Sequence, residues 1–123
     1  MVITIPFKIE VPAHSSKTVR TSRLDRRYKI TFVRIKFNRG CEMRVGVGVY
    51  VSHDDDVSDN VEPTGTPIFQ QLGGDKLVYG DDEVIKLIPS YDVDEEDTFI
   101  KVYARNDDDF SHTITASITI DTK

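Results

Sequence analysis

The sequence predicts an all-β protein, an antiparallel β-sandwich of about eight strands. Apolar and polar residues alternate in several runs, which is typical of strands that bury one face. Turn-forming residues separate these runs at intervals of roughly 8–12 residues, and no stretch has a convincing helical period. We expect one domain over residues 1–123, most simply a jelly roll whose chain shuttles between two sheets, with an immunoglobulin-like sandwich as the alternative.

The first expected strand covers residues 2–11, where every odd-numbered position is apolar. Pro6 lies within it and has no N–H to donate to a β-ladder, so we expect this strand at a sheet edge or at a bulge. Residues 17–22 allow a short second strand, which a polar connection at residues 23–27 follows.

The longest alternating runs are residues 27–37 and 42–52, joined by the sequence NRGC. Two such runs joined by turn residues predict a long antiparallel β-hairpin. The apolar phase changes within the first run, which indicates a β-bulge near residues 31–33. In the second run Gly46 and Gly48 weaken the strand, which indicates that an aromatic ring or a second subunit approaches this face closely.

The second half of the chain begins with a polar loop rich in Asp, Ser, Asn, Pro and Gly at residues 53–65. An acidic loop occupies residues 90–97. Further strands are expected at residues 67–71, 76–79, 83–88, 98–105 and 111–121.

The formal net charge of −5 conceals two oppositely charged halves. Residues 1–50 hold 11 Lys and Arg against 3 Asp and Glu, a balance of +8, and residues 51–123 hold 5 against 18, a balance of −13. Cys41 is the only cysteine, which excludes an intrachain disulfide and a cysteine-rich metal site. We expect no signal peptide, because the first residues alternate, and no membrane span, because no stretch approaches ~20 apolar residues.

Acidic loops supply the candidate metal ligands. Asp54, Asp56, Asp59 and Asn60 can offer oxygen atoms to Ca²⁺, which takes about six to eight of them. The EF-hand spacing is absent, because the positions that need Gly and Glu hold Asp59 and Gly65. Solvated turns account for the same residues, so we expect no cofactor, with Ca²⁺ as the one alternative.

No catalytic motif is present. His14, His53 and His112 are dispersed along the chain, and neither H-E-x-x-H nor G-x-S-x-G occurs. We therefore expect that the protein is not an enzyme. A carbohydrate-binding β-sandwich module, with or without Ca²⁺, is the alternative function, although the chain has no Trp to stack on a sugar ring.

Basic residues interleave with aromatic ones in the first half, a composition that can bind single-stranded nucleic acid. The acidity of the whole chain argues against that partner. The basic side chains can instead pair with carboxylates of residues 81–109 on neighbouring strands, or they can contact the acidic loops of a second copy. The candidate interface residues are Arg34, Lys36, Arg44, Tyr50, Phe99 and Tyr103.

The alternating stretches at residues 28–52, 80–105 and 106–120 resemble small jelly-roll and related β-sandwich proteins that decorate or cement virus capsids. The resemblance is one of pattern and size, and no single motif carries it. It implies a non-enzymatic protein that forms homo-oligomers and binds a capsid or another protein lattice. It also implies a location in the virion, with assembly in the host cytoplasm.

Overall fold

The computed structural model describes all residues 1–123 and contains ten strands and one short helix. The helix α1 is a single turn at Ile68–Gln71. No helix is therefore long and apolar enough to cross a membrane. The strands are β1 Val2–Val11, β2 Ser15–Arg20, β3 Tyr28–Phe37, β4 Val45–Ser52, β5 Thr66–Pro67, β6 Val78–Tyr79, β7 Glu83–Leu87, β8 Tyr91–Val93, β9 Phe99–Asn106 and β10 His112–Thr122.

Two antiparallel sheets form a sandwich, which confirms the predicted fold class. The first sheet has the order β1-β10-β3-β7, with β8 also paired to β3. The second has the order β2-β9-β4-β5, with β6 also paired to β4. Counting β5 with β6 and β7 with β8, each sheet holds four strand positions, which agrees with the expected total of about eight.

The strand pairs are nested along the chain. β4 pairs with β5 and β6, β3 with β7 and β8, β2 with β9, and β1 with β10. The topology is therefore that of one long hairpin, with its turn after β4, whose two arms wind together to form both sheets. This nested arrangement is that of a jelly roll.

The predicted hairpin between β3 and β4 is wrong. β3 lies in the first sheet and β4 in the second, and the connection at residues 38–44 crosses from one sheet to the other. Positive φ angles at Gly40 (96°), Glu42 (48°) and Met43 (62°) turn the backbone through this crossing. Alternation showed correctly that the valines of β4 face the core, but it carries no information about the partner strand.

Two local features agree with the sequence, and one does not. The register between β3 and β10 shifts at Thr31, where the bulge is expected. Pro6 lies in β1, which is an edge strand of the first sheet. Residues 68–71 form a helical turn rather than the expected β segment.

The core lies between the two sheets. Most of its side chains come from alternate positions of β1, β3, β4, β9 and β10. Because the inner faces of the two sheets pack against each other, the surfaces open to a partner are the two outer faces and the two ends of the sandwich. Fully buried examples are Ile30, Ile35, Val47, Ile100, Val102 and Ile118.

Candidate functional site

The outer face of the second sheet is covered by the chain itself. Residues 53–79, here called the cover segment, run across the outer face of β4 and β9 and pair with the edge of β4 through β5 and β6. Tyr50 and Tyr103 are only 1% and 8% exposed. The two tyrosine rings pack edge to face with their centroids 6.2 Å apart. The expectation that Tyr50 and Tyr103 are exposed interface anchors is therefore wrong, since they anchor the cover segment instead.

An ion pair fixes the first part of the cover segment. Lys101 projects from β9 with a fully buried side chain, and its Nζ donates to Asp54 Oδ1 at 2.7 Å and to Thr64 Oγ1 at 3.0 Å. Half of the Asp54 side chain remains exposed. The hydrogen bond from Lys101, helped by that from Thr64, holds the pKa of the Asp54 carboxyl well below its usual range.

The middle of the cover segment is held by hydrogen bonds. Asn60 exchanges two bonds with the backbone of Ser16 on β2, each 3.0 Å long. Tyr50 OH donates to Glu62 Oε1 at 2.9 Å, and Lys76 Nζ donates to the same oxygen at 3.0 Å. Burial, followed by the bond to Glu62, raises the pKa of Tyr50.

The end of the cover segment lies directly on the two glycines of β4. A Cβ atom on Gly46 would lie 2.7 Å from the Tyr79 ring, and one on Gly48 would lie 2.7 Å from both Leu77 and the Lys76 carbonyl oxygen. The sequence predicts a close approach at these glycines, and the approaching group is an aromatic ring of the same chain together with its neighbours.

Three of the four candidate Ca²⁺ ligands have other partners within the chain. Asp54 is the counter-ion of Lys101, Asp56 accepts bonds from Ser58, and Asn60 binds Ser16. No group of three or more His, Cys, Asp or Glu side chains is arranged to hold a metal ion. These residues shape the loop and attach it to the second sheet.

The carboxylates with lowered pKa values predict acid sensitivity. Asp54 pairs with Lys101, and the 2.8 Å bond between Asp108 and His112 lowers the pKa of Asp108. Because these groups titrate at lower pH in the folded protein, they stabilise it above their unfolded pKa of about 4, and this stabilisation is lost as the pH falls further. We expect an unfolding midpoint that is nearly constant between about pH 7 and 5 and falls below about pH 4.

Urea titrations at a series of pH values measure this midpoint. The Asp54→Ala variant serves as the control and is expected to show a shallower fall, because it has lost one of the titrating groups. A wild-type midpoint that stays constant into strong acid would contradict the assignment of these ion pairs.

The outer face of the first sheet is uncovered and basic. Arg34 and Lys36 on β3 are exposed, as are Lys8 on β1 and Lys86 on β7. Between them lie the hydroxyl side chains of β10, where Thr115 is opposite both Lys8 and Lys36 and Ser117 is opposite Arg34. These four cationic residues are called the basic face below.

None of the four side chains of the basic face forms an ion pair within the chain, although the exposed Glu10 lies on the same face of β1. Arg34 lies opposite Lys86, and Lys36 lies opposite Val84, so the expected cross-strand pairing of Arg34 and Lys36 with carboxylates is wrong. All nine ion pairs of the protein involve other residues. Like charges directly opposite one another destabilise a sheet, so this face is suited to an anionic partner.

The remaining two interface candidates lie elsewhere. Arg44 is exposed at the crossing between the sheets, where its carbonyl oxygen accepts a 3.0 Å bond from the Asp107 N–H. Phe99 is half-buried on β9, and the Arg20 guanidinium lies 5.2 Å from the centre of its ring. The structure therefore brings Arg34 and Lys36 together, and it separates them from Arg44 and Phe99.

Sequence reasoning missed Lys8 and Lys86 as members of the basic face. Both occupy polar positions in alternating strands, which is the signal that places them on an outer face. Their proximity to Arg34 and Lys36 depends on the pairing of β1, β10, β3 and β7, which the alternation does not reveal.

An acidic cleft lies at one end of the sandwich. It has a volume of about 490 Å³ and is formed by the end of β4, the start of the cover segment and the region around β8. Four carboxylates line it, from Asp54, Asp92, Asp94 and Glu95. No residue of the basic face contributes to its wall, so the two charged surfaces are separate.

The three histidines each contact a carboxylate. His14 Nε2 lies 2.7 Å from Asp109, His112 Nε2 lies 2.8 Å from Asp108, and His53 contacts Glu95. No hydroxyl or thiol is hydrogen-bonded to any of the three imidazoles. The pairs join neighbouring segments of the chain.

Comparison with known proteins shows a shared fold. No protein-family model and no curated protein matches the sequence. A chain of the Sulfolobus turreted icosahedral virus aligns with 98% of this chain at a TM-score of 0.57 and 11% identity. This chain spans only 28% of the length of that viral protein.

Two further solved structures illustrate the range of the likeness. A chain of the capsid asymmetric unit of cyanophage Pam1 aligns with 97% of this chain, over 83% of its own length, at a TM-score of 0.52 and 8% identity. A chain of the Bacillus endospore appendages, which are disulfide-linked pili, aligns with 97% of this chain over 85% of its own length at 13% identity, but its TM-score is 0.47. At these identities the two viral matches show a capsid-like β fold and nothing further.

Proposed function

We propose that this chain is a non-enzymatic structural protein of a virus particle, which decorates or cements a capsid and assembles with copies of itself. The jelly-roll sandwich, which is similar to the folds of the two viral chains at TM-scores of 0.57 and 0.52, is the observation that carries the proposal. The two charged outer surfaces support it, because charge complementarity orients and selects protein partners.

The layout of the outer faces also favours protein contacts over small-molecule chemistry. One face is closed by the cover segment, and the other is a sheet surface with four exposed cationic side chains and an open depression beside Lys8 and Arg34. Carbohydrate binding, the alternative function, would need exposed aromatic rings; Tyr50 and Tyr103 are buried, which leaves Tyr79 at 37% and Phe110 at 71% exposure for that role. Assembly is therefore the function that these surfaces serve best.

Sedimentation at several protein concentrations and salt concentrations tests this proposal. We expect oligomers at low ionic strength that dissociate as salt is added, because the screening length falls to about 8 Å at ~0.15 M salt. Bovine serum albumin, sedimented in the same buffers, controls for nonspecific effects of salt. A monomer at every concentration and ionic strength would refute self-assembly.

A further inference from the structure

We infer that the basic face of one copy docks on the acidic cleft of a second copy. This inference rests on the proposed function, since it identifies the surfaces that join neighbouring copies. It differs from the general proposal in naming both partners of the contact, and it can fail while self-assembly stands.

The basic face is the side of the contact that needs a partner. Lys8, Arg34, Lys36 and Lys86 are all exposed, and Arg34 lies directly opposite Lys86. The repulsion between these side chains is relieved when carboxylates approach from outside the sheet. The hydroxyl groups of Thr115 and Ser117 between them offer additional hydrogen bonds to such carboxylates.

The acidic cleft supplies those carboxylates in a concave surface. Asp94 and Glu95 are 73% and 62% exposed, so they remain open to a partner even though each has a contact within the chain. Asp92 and Asp54 lie deeper in the same wall and carry the ion pairs with Lys123 and Lys101. The long side chains of Lys and Arg can extend from the sheet into such a cleft.

The contact is heterologous, because the face and the cleft are different surfaces. Each copy that docks therefore leaves one free cleft and one free face at the ends of the assembly. Contacts of this kind produce closed rings or extended arrays rather than isolated two-fold dimers. Such geometry agrees with a protein that covers a lattice.

Nucleic acid is the other polyanion that could occupy the basic face. Single-stranded nucleic acid is usually held by aromatic rings that stack on its bases. The basic face carries a single half-buried aromatic ring, that of Phe32, beside its cationic and hydroxyl side chains, and the net charge of −5 repels a polyanion. A second copy is therefore the better match.

Charge reversal on each surface tests the contact. The first variant carries Arg34→Glu and Lys36→Glu, and the second carries Asp94→Lys and Glu95→Lys. We expect each variant alone to stay monomeric at low ionic strength, with self-affinity reduced at least ~10-fold, because it presents like charges on both surfaces. We expect an equimolar mixture of the two to assemble again, since every face then meets a cleft of opposite charge.

The matched control for the first variant is Arg23→Glu with Arg39→Glu. It makes the net charge more negative by the same amount, at exposed residues outside both surfaces. Circular dichroism verifies that each variant is folded. Assembly of the first variant at the wild-type level, or a mixture that stays monomeric, would overturn the docking inference, whereas a monomeric wild type would refute the proposed function. Loss of oligonucleotide binding in the first variant, with assembly unchanged, would assign the basic face to nucleic acid instead.

Discussion

Replacing Asp54 with alanine is expected to lower the free energy of unfolding by about 2 kcal/mol. The Lys101 side chain is fully buried, and removing Asp54 leaves its ammonium group with only Thr64 as a partner. Breaking a fully buried ion pair costs ~3–5 kcal/mol, and the expected value is lower here because water reaches the half-exposed Asp54 position. The cover segment should loosen at the same time, because Asp54 fixes its first residues.

Chemical denaturation of four variants separates the ion pair from nonspecific effects. Asp55→Ala removes a neighbouring exposed carboxylate and should change stability by less than about 0.5 kcal/mol. Lys101→Met removes the same ion pair but leaves no buried charge, so we expect a smaller loss than for Asp54→Ala. The double variant Asp54→Ala/Lys101→Met should recover much of the loss. Equal losses in Asp54→Ala and Asp55→Ala would contradict a structural role for the pair.

Replacing Gly65 with alanine is expected to destabilise the protein by about 3 kcal/mol, the second large effect. Gly65 has a φ of +119°, which side-chain-bearing residues rarely adopt, and its added Cβ would lie 2.5 Å from the Val51 carbonyl oxygen. A backbone atom cannot swing aside as a side chain can. The segment must therefore shift, and the pairing of Val51 with Thr66 is disturbed.

Gly73→Ala is the matched control for this clash. Gly73 also has a positive φ, +91°, but no atom lies within 4 Å of an added Cβ. Its replacement should cost only the conformational strain, about 1 kcal/mol. Thermal or urea unfolding of both variants measures the difference. If Gly73→Ala destabilised the protein as strongly as Gly65→Ala, the close approach to Val51 would not be the cause.

The sequence predicts which face of a strand is buried better than it predicts which strands pair. In β10, Ile114, Ile118 and Ile120 are buried as the alternation predicts, and the bulge at Thr31 follows from a change of phase. Pairing partners are not encoded in the alternation, because a two-residue period looks the same for any partner. The hairpin prediction failed for this reason, since the crossing at residues 38–44 resembles a turn in composition.

Contacts on the outer faces could not be predicted from the alternation either. Alternation places Tyr50 on an outer face and leaves the orientation of Tyr103 open, and nothing local reveals that the cover segment folds over both rings. A loop rich in Asp, Ser and Gly resembles a solvated connection, and its bonds to Lys101 and Ser16 come from distant strands. The basic face is equally non-local, because the neighbours of Arg34 come from three other strands.

The nested pairing of the strands also determines the order in which the protein can fold during synthesis. No two of the strands β1 to β4 pair with each other, so the first 52 residues leave the ribosome with no ladder available to them. The first pairs that can form join β4 to β5 and β6. β1 can pair only after β10, the last strand, has been synthesised. Long-range pairing of this kind slows folding and keeps apolar strand edges exposed to other nascent chains.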